Sequence, residues 1–254
     1  MRNATYGALP VLVAPSNEAL GKAAAEQFAK AVSQHLAERG EIAVILATGN
    51  SQLSFIRAVV QRDDIDWSKV TVLHMDEYQG MSESHPASFR RWMRENLLAR
   101  VAPKAFYGVR GDAESVELEL ERYGALVREL DPDICVMGIG ENGHLAFNDP
   151  PADLETRELI HLVELDEACR KQQVGEGHFE SVEQAPTKAL SLTVHALLRP
   201  ATVMVLTPES RKAAAVRLAL LGPVTPDCPA SVLQQAPHAT LFLDEDSAAE
   251  LPPA

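Results

Sequence analysis

The stretch from residue 134 to residue 150 constrains the fold more than any other part of the sequence. It begins with the apolar run Ile-Cys-Val-Met, breaks into glycines at positions 138, 140 and 143, and continues through His144 to Asp149 and Pro150. Such a run is typical of a buried strand, and in α/β proteins ligand-binding loops lie at the carboxyl ends of buried strands. The stretch therefore predicts an α/β sheet with a functional loop directly after this strand.

The same three glycines match the Gly-x-Gly-x-x-Gly fingerprint of dinucleotide-binding proteins, with Glu164 or Asp166 at about the expected ~20-residue spacing. That fingerprint needs a helix that begins at the third glycine and points its N–H groups at the pyrophosphate. Pro150 and Pro151 follow too soon for such a helix, because proline in a helix interior costs about 3 kcal/mol. We therefore interpret the glycines as letting the backbone pass close to a small ligand, with His144 beside it.

Composition limits the kinds of protein that this chain can be. With 254 residues, 46% of them hydrophobic, it can bury a full core as one large α/β domain or two small ones. A net charge of −13 argues against nucleic-acid binding and against a basic membrane patch, although a local cluster of donors can still bind an anion. The three cysteines stand in no paired motif, so we expect neither disulfides nor a metal site. We find no leader-like segment and no apolar run of ~18 residues, and expect a cytoplasmic protein.

Strand-like runs alternate with helical patterns along the chain. The runs occupy residues 11–14, 42–47, 70–75, 134–137, 158–165, 202–206 and 239–243. The helical patterns occupy residues 17–39, 53 onward, 85–99, 113–130 and 210–221. This alternation predicts a mostly parallel sheet covered by helices on both faces. We expect residues 168–185, which are poor in apolar side chains, to form a loop or lid, and the tail after Ser247 to be frayed.

Polar side chains follow the second and third of these strands. Behind the second strand come Thr48, Gly49, Asn50 and Ser51. This cluster precedes a helix, so it is either a phosphate-binding turn or an ordinary capped turn. Asp76 and Glu77, at the end of the third strand, are either part of a site or solvated loop acids. Because the carboxyl ends of parallel strands meet at one edge, we expect both clusters to meet the 138–149 loop and the turn before Lys212 in one active site.

Four segments together resemble a known family. They are Ala-Thr-Gly-Asn-Ser at 47–51, Met-Asp-Glu-Tyr-Gln-Gly at 75–80 with His-Pro at 85–86, the 138–150 stretch, and Ser-Arg-Lys-Ala at 210–213. With these, residues 11–244 resemble the glucosamine-6-phosphate deaminases, in the family that also contains 6-phosphogluconolactonase. The Phe-Asn-Asp-Pro ending at 147–150 differs from the Ser-Leu-Phe-Pro type of the lactonases. The resemblance implies a modified Rossmann-like three-layer α/β sandwich with a mostly parallel sheet, as a single domain over residues 1–254.

The resemblance also implies a reaction without cofactor or metal, in which glucosamine 6-phosphate becomes fructose 6-phosphate and ammonia. Asp76 would move a proton from C2 to C1, and His144 would open the sugar ring. Two positions depart from the deaminases, which usually carry aspartate where this chain has Asn142 and glutamate where it has Asp149. Carboxylates stabilise a protonated imidazole, so Asp149 would have to supply that charge alone. We therefore expect either a retuned deaminase or a shifted substrate, such as galactosamine 6-phosphate.

For the substrate phosphate, the resemblance points to the 48–51 loop and to Lys212 at a helix start. We also expect substrate contacts from Glu77 and Gly140. A further contact is expected from His178, which falls near the lid arginine of the family, or from Arg170 upstream of it. The expected partner is a small-molecule sugar phosphate, with neither nucleic acid nor membrane, and a homo-oligomer is left open. The alternatives are lactone hydrolysis by the same histidine, or a non-catalytic sugar-phosphate sensor.

Overall fold

The computed structural model describes residues 1–175, 177 and 179–252. Its strands are β1 (Arg2–Tyr6), β2 (Leu9–Ala14), β3 (Ile42–Leu46), β4 (Val70–His74), β5 (Asp76–Tyr78), β6 (Ala105–Tyr107), β7 (Ile134–Met137), β8 (Ile160–Glu164), β9 (Lys188–Leu192), β10 (Thr202–Thr207) and β11 (Ala239–Asp244). Its α-helices are α1 (Asn17–Arg39), α2 (Leu53–Val59), α3 (Phe89–Met93), α4 (Val116–Leu130), α5 (Glu167–Gly175), α6 (Val194–Leu198) and α7 (Ala213–Leu221). A π-helical turn, Arg94–Leu98, continues α3.

A large sheet organises the fold. Its strand order is β1-β2-β11-β10-β7-β3-β4-β6, and all neighbours pair in parallel except β1 and β2, which are antiparallel. The mostly parallel sheet expected from the sequence is therefore confirmed. It places the loops after β3, β7 and β10 side by side, because these strands are direct neighbours with the same orientation.

Both faces of the large sheet are buried. In β7, Ile134 and Val136 face one core, which contains the apolar sides of α1 and α2. Cys135 and Met137 face the other core, to which α4, α6 and α7 contribute. Side chains alternate across a strand, so one strand serves two cores and reads as a continuous apolar run. The result is the expected three-layer sandwich, and Cys135 is the core residue that its apolar surroundings predicted.

A second, three-stranded sheet begins one residue after β4. It is antiparallel, with the order β5-β9-β8, and β5 consists of the triplet Asp76-Glu77-Tyr78. These three residues are 7%, 0% and 0% exposed, so the alternative of solvated loop acids is wrong. A three-residue strand is too short to show a periodic pattern, and the chain therefore crosses from one sheet to the other without a visible signal in the sequence.

The observed boundaries of three elements can be compared with those expected from the sequence. β1 was not expected, and it pairs at the edge of the large sheet with mostly exposed or partly exposed side chains. The helix expected from His85 begins at Phe89 instead, because Ser88 caps it by accepting a hydrogen bond from the backbone N–H of Arg91. At α1 the Ser16 side chain caps the helix by accepting a hydrogen bond from the backbone N–H of Ala19.

Two segments are more ordered than expected. The stretch 168–185 contains most of α5. Cys169 and Gln173 are four residues apart and lie on the buried side of this helix. The tail after Ser247 is not frayed as far as Leu251, because Ala248 and Leu251 pack into the core under the large sheet. A few apolar side chains on an otherwise polar segment are enough to dock it.

Candidate active site

One cavity lies where the loops after β3, β7 and β10 meet the start of β5. It is lined by the 48–51 loop and by Asp76, Gly138, Gly140, His144 and Lys212. The structure therefore brings together the four clusters that the sequence placed at strand ends. Met75, Phe89, Ala146, Phe147 and Gln173 also line it, and the sequence had not singled them out.

The loop after β3 forms a polar cradle on one wall. Gly49 takes a φ of 94°, which favours glycine, and leads into a short 3-10 turn, Asn50–Gln52, that continues as α2. Gly138 closes the cradle, because a Cβ atom there would lie 3.3 Å from Ser51 Oγ and 3.1 Å from the carbonyl oxygen of Leu206. Helix starts expose unpaired N–H groups, so this wall can bind an anion.

Lys212 supplies positive charge to the same wall. It is 3% exposed, although lysine is rarely buried, and it immediately precedes α7. A buried ammonium group beside two helix starts is a strong attraction for a phosphate group.

His144 is held against the backbone of Gly140. A Cβ atom at position 140 would lie 2.2–2.4 Å from Cε1, Nε2 and Nδ1 of the imidazole, so only glycine fits there. Asn142 Oδ1 accepts a hydrogen bond from the backbone N–H of His144 at 3.1 Å, and Asn142 Nδ2 donates to Asp149 Oδ1 at 3.1 Å. The neutral Asn142 thus orients both the histidine and its carboxylate.

Asp149 is the charge beside the imidazole. Its Oδ1 lies 3.1 Å from His144 Nδ1. Burial raises the pKa of Asp149, but His144, Asn142 and the Cys169 thiol outweigh burial and hold that pKa below its usual value. The carboxylate is therefore charged at neutral pH, as the expectation that it acts alone requires.

Asp76 behaves in the opposite way. Burial, followed by repulsion from Glu77, raises the pKa of Asp76 to about 8. A carboxylate of this basicity on a buried strand is suited to taking and returning a proton near neutral pH. The surroundings thus lower the pKa of Asp149 and raise the pKa of Asp76, although both carboxylates lie at the same site.

Glu77 does not line this cavity, contrary to expectation. Its carboxylate accepts hydrogen bonds from the Ser88 hydroxyl at 2.8 Å and from the backbone N–H groups of Phe89 and Arg90 at 3.2 and 3.1 Å. Successive side chains of a strand point to opposite sides, so Asp76 and Glu77 cannot both face the cavity. Glu77 instead anchors the start of α3.

Helix α5 contributes Gln173 rather than Arg170 to the cavity wall. Gln173 is 5% exposed, lines the cavity, and its Oε1 accepts a hydrogen bond from the Tyr78 hydroxyl at 2.6 Å. The Arg170 side chain donates to the carbonyl oxygen of Val182 and does not line the cavity. His178 lies outside the described residues. The four-residue spacing between Cys169 and Gln173 on a polar helix was the available signal for a buried face.

Comparison with known proteins identifies the family. The family described as glucosamine-6-phosphate isomerases/6-phosphogluconolactonase matches residues 15–242. The chain belongs to this family. A glucosamine-6-phosphate deaminase from Exiguobacterium sibiricum is 37% identical over 208 residues, which cover 81% of this chain and 80% of that protein. One from Streptococcus pneumoniae is 35% identical over 204 residues, covering 80% of this chain and 84% of that protein.

Solved structures of the isomerase/lactonase family share the fold. A monomeric glucosamine-6-phosphate deaminase superposes with a TM-score of 0.86 at 29% identity, covering 94% of this chain and 98% of that one. A 6-phosphogluconolactonase from Shewanella baltica gives a TM-score of 0.75 at 19% identity, with coverages of 95% and 98%, which shows the fold alone. In the part of the chain that the structure describes, no helix is long and apolar enough to cross a bilayer.

Proposed function

We propose that the chain is a hexosamine-6-phosphate deaminase that converts glucosamine 6-phosphate and water to fructose 6-phosphate and ammonia. The observation that carries this proposal is the meeting, in one cavity, of an anion cradle, an imidazole backed by a carboxylate, and a buried aspartate of raised pKa. The names of the curated relatives support the same reaction.

The phosphate would bind first, against the 48–51 loop and Lys212. These groups line one wall of the cavity, and Asp76 and His144 line the rest. Binding energy from the non-reacting phosphate can then hold C1 and C2 of the sugar between the two catalytic side chains.

Ring opening would be the task of His144. The ring oxygen must gain a proton while the C1 hydroxyl loses one, and imidazole can exchange protons in both directions near neutral pH. Gly140 and Asn142 fix the position of the histidine, and Asp149 Oδ1 lies 3.1 Å from its Nδ1.

Asp76 would then act on the open-chain sugar. It removes the proton from C2 while O1 takes a proton from the substrate's own ammonium group, which leaves a neutral enolamine. It then returns its proton to C1, which leaves a protonated imine at C2. Water adds to this imine carbon and the C–N bond breaks, so that ammonia leaves and the ketone of fructose 6-phosphate remains. A buried base suits this transfer because it keeps its proton from exchanging with bulk water.

Two other compounds are alternative candidates for the substrate. The neutral Asn142 departs from the deaminase pattern beside the histidine, which is compatible with a retuned deaminase or with a shifted substrate such as galactosamine 6-phosphate. Hydrolysis of 6-phosphogluconolactone could use His144 to activate water, but it would leave the raised pKa of Asp76 without a role.

The test is ammonia release from both hexosamine 6-phosphates by purified protein, beside acid release from the lactone. We expect ammonia from at least one amino sugar, and the preferred sugar names the substrate. Acid from the lactone without ammonia from either sugar would replace the proposal with lactone hydrolysis, and binding without any turnover would replace it with a sensor.

Replacing Lys212 with methionine should weaken substrate binding. We expect KM to rise about 10- to 100-fold with a smaller change in kcat, because the ammonium contacts the phosphate equally in the ground and transition states. Steady-state kinetics and the inhibition constant of inorganic phosphate measure the change. Lys30→Met on the exposed side of α1 is the matched control, and an unchanged KM in Lys212→Met would remove this lysine from the phosphate site.

A further inference from the structure

Cys169 brings a third type of donor atom to the catalytic loop. It lies on α5, and its sulfur, a ring nitrogen of His144 and a carboxylate oxygen of Asp149 all lie within 4.8 Å of one another. His144 is 8% exposed and Cys169 1% exposed, and the Asp149 side chain is 8% exposed. These three donors, here called the His-Asp-Cys cluster, therefore lie inside the protein rather than on its surface.

Two atoms of the cluster lack hydrogen bonds. His144 Nδ1 and Asp149 Oδ2 are buried without a hydrogen-bond partner among the described residues, although Nδ1 lies 3.1 Å from the other oxygen of Asp149. Nearly all buried polar atoms in proteins have a partner, because an unsatisfied one destabilises the fold. Asp149 contacts both His144 and the Cys169 thiol, yet these contacts leave two buried polar atoms unsatisfied, which a ligand between the loop and α5 would satisfy.

The chemistry of the donors selects the ligand. Thiolate sulfur, imidazole nitrogen and carboxylate oxygen together are a donor set of zinc, whereas magnesium and calcium prefer oxygen alone. Bond lengths of about 2.0–2.3 Å in tetrahedral geometry place zinc ligands about 3.3–3.8 Å apart, so the cluster needs to contract by only about 1 Å.

We propose that His144, Asp149 and Cys169 form an inhibitory Zn²⁺ site that joins α5 to the catalytic loop. Zinc bonds to Nδ1, to one carboxylate oxygen and to sulfur, and water takes the fourth position. The thiol proton is released to solvent, the neutral imidazole carries its proton on Nε2, and no group is oxidised or reduced. No sequence pattern indicated this site, because Cys169 is 20 residues beyond Asp149 and in no paired motif.

Inhibition follows from where the metal sits, and this part rests on the proposed function. The ion would occupy Nδ1 of His144 and a carboxylate oxygen of Asp149, so neither side chain would be free for the proposed ring opening. Zinc also fixes α5, which carries Gln173 at the cavity wall.

The site itself is tested with cobalt, which needs no enzyme activity. Titrating the full chain with Co²⁺ should produce a thiolate-to-cobalt charge-transfer band that saturates at one ion per chain and disappears when Zn²⁺ is added. Cys169→Ser should lose the band. Cys228→Ser should keep the band. It is the matched control because Cys228 also lies beside the catalytic loop, where a Cβ atom at Gly143 would be only 3.0 Å from Cys228 Sγ.

Several outcomes would overturn the site: no band in the wild-type chain, an equal band in Cys169→Ser, or loss of the band in Cys228→Ser. The wild-type titration still tests whether the site exists if the Cys169→Ser variant does not fold. In the activity assay, Zn²⁺ should inhibit the wild type reversibly on chelation, and Cys169→Ser should need at least about tenfold more zinc. A cobalt band without any deaminase activity would refute the proposed function and leave the metal site standing.

Discussion

Replacing Asp76 with asparagine lowers kcat for ammonia release by about 10³- to 10⁴-fold, as expected for loss of a general base. The amide has nearly the same shape but cannot accept the C2 proton. The measurement pairs ammonia release with the transfer of deuterium from C2 of the substrate to C1 of the product. Binding of the reduced open-chain amino alcohol phosphate, which cannot react, should change less than about threefold and serves as the control for folding.

The same substitution should stabilise the fold. The folded protein keeps a proton on Asp76 up to about pH 8, whereas the unfolded chain releases it near 3.8. The folded state therefore binds more protons between these values, and this group contributes stability at low pH that is lost as pH rises through the window. The asparagine side chain does not titrate, so Asp76→Asn should gain at least about 1 kcal/mol relative to wild type near pH 8, and little at pH 4.

Urea unfolding of both proteins at pH 5 and pH 8 checks the pH dependence. In parallel, kcat/KM of the wild type should rise with pH and level off above about 8, because the free enzyme needs the ionised aspartate. A variant that keeps more than a tenth of the wild-type rate, or a stability difference that does not grow with pH, would contradict the assignment of Asp76 as base.

Replacing His144 with glutamine lowers kcat by about 10²- to 10³-fold, because the amide can form hydrogen bonds but cannot carry a proton between the ring oxygen and C1. Binding of inorganic phosphate should stay unchanged, since the cradle at residues 48–51 and Lys212 are intact. Kinetics with the preferred amino sugar and phosphate inhibition measure the two effects separately.

His195→Gln is the matched control for this histidine. It replaces a partly exposed imidazole on α6 that lies 3.4 Å from Arg157 and does not line the cavity. Activity of His144→Gln within about fivefold of the control would show that another group opens the ring.

The parts of the site that could be predicted lie at the ends of long parallel strands. Apolar runs of four or more residues are visible in the sequence, and parallel pairing then gathers the loops at their carboxyl ends, including the 48–51 loop and His144. The absence of a nucleotide-binding helix after Gly143 was also predictable. Pro150 comes only seven residues later, and residues 141–150 form only turns and an isolated bridge between Leu145 and Asn148.

The parts that could not be predicted depend on residues far apart in sequence. Glu77 was assigned to the substrate, but its partners at Ser88 and Arg90 become visible only when α3 packs on β5. Gln173 and Cys169 lie in a polar segment whose buried face is defined by the rest of the fold, through the Tyr78 hydroxyl and Asp149. Local sequence pattern carries no information about such contacts.

The two sheets contribute different groups to the site, which bears on how such enzymes evolve. The 48–51 loop, His144 and Lys212 belong to loops of the large sheet, whereas Asp76 belongs to the small sheet. The backbone N–H of Leu192, which donates to the carbonyl oxygen of Met75, ties the small sheet to the end of β4. Because the proposed phosphate-binding groups and the proposed base belong to different sheets, we expect loss of Asp76 to leave sugar-phosphate affinity largely intact. A lineage that lost Asp76 would still inherit a folded receptor for the same metabolite, ready for a role in regulation.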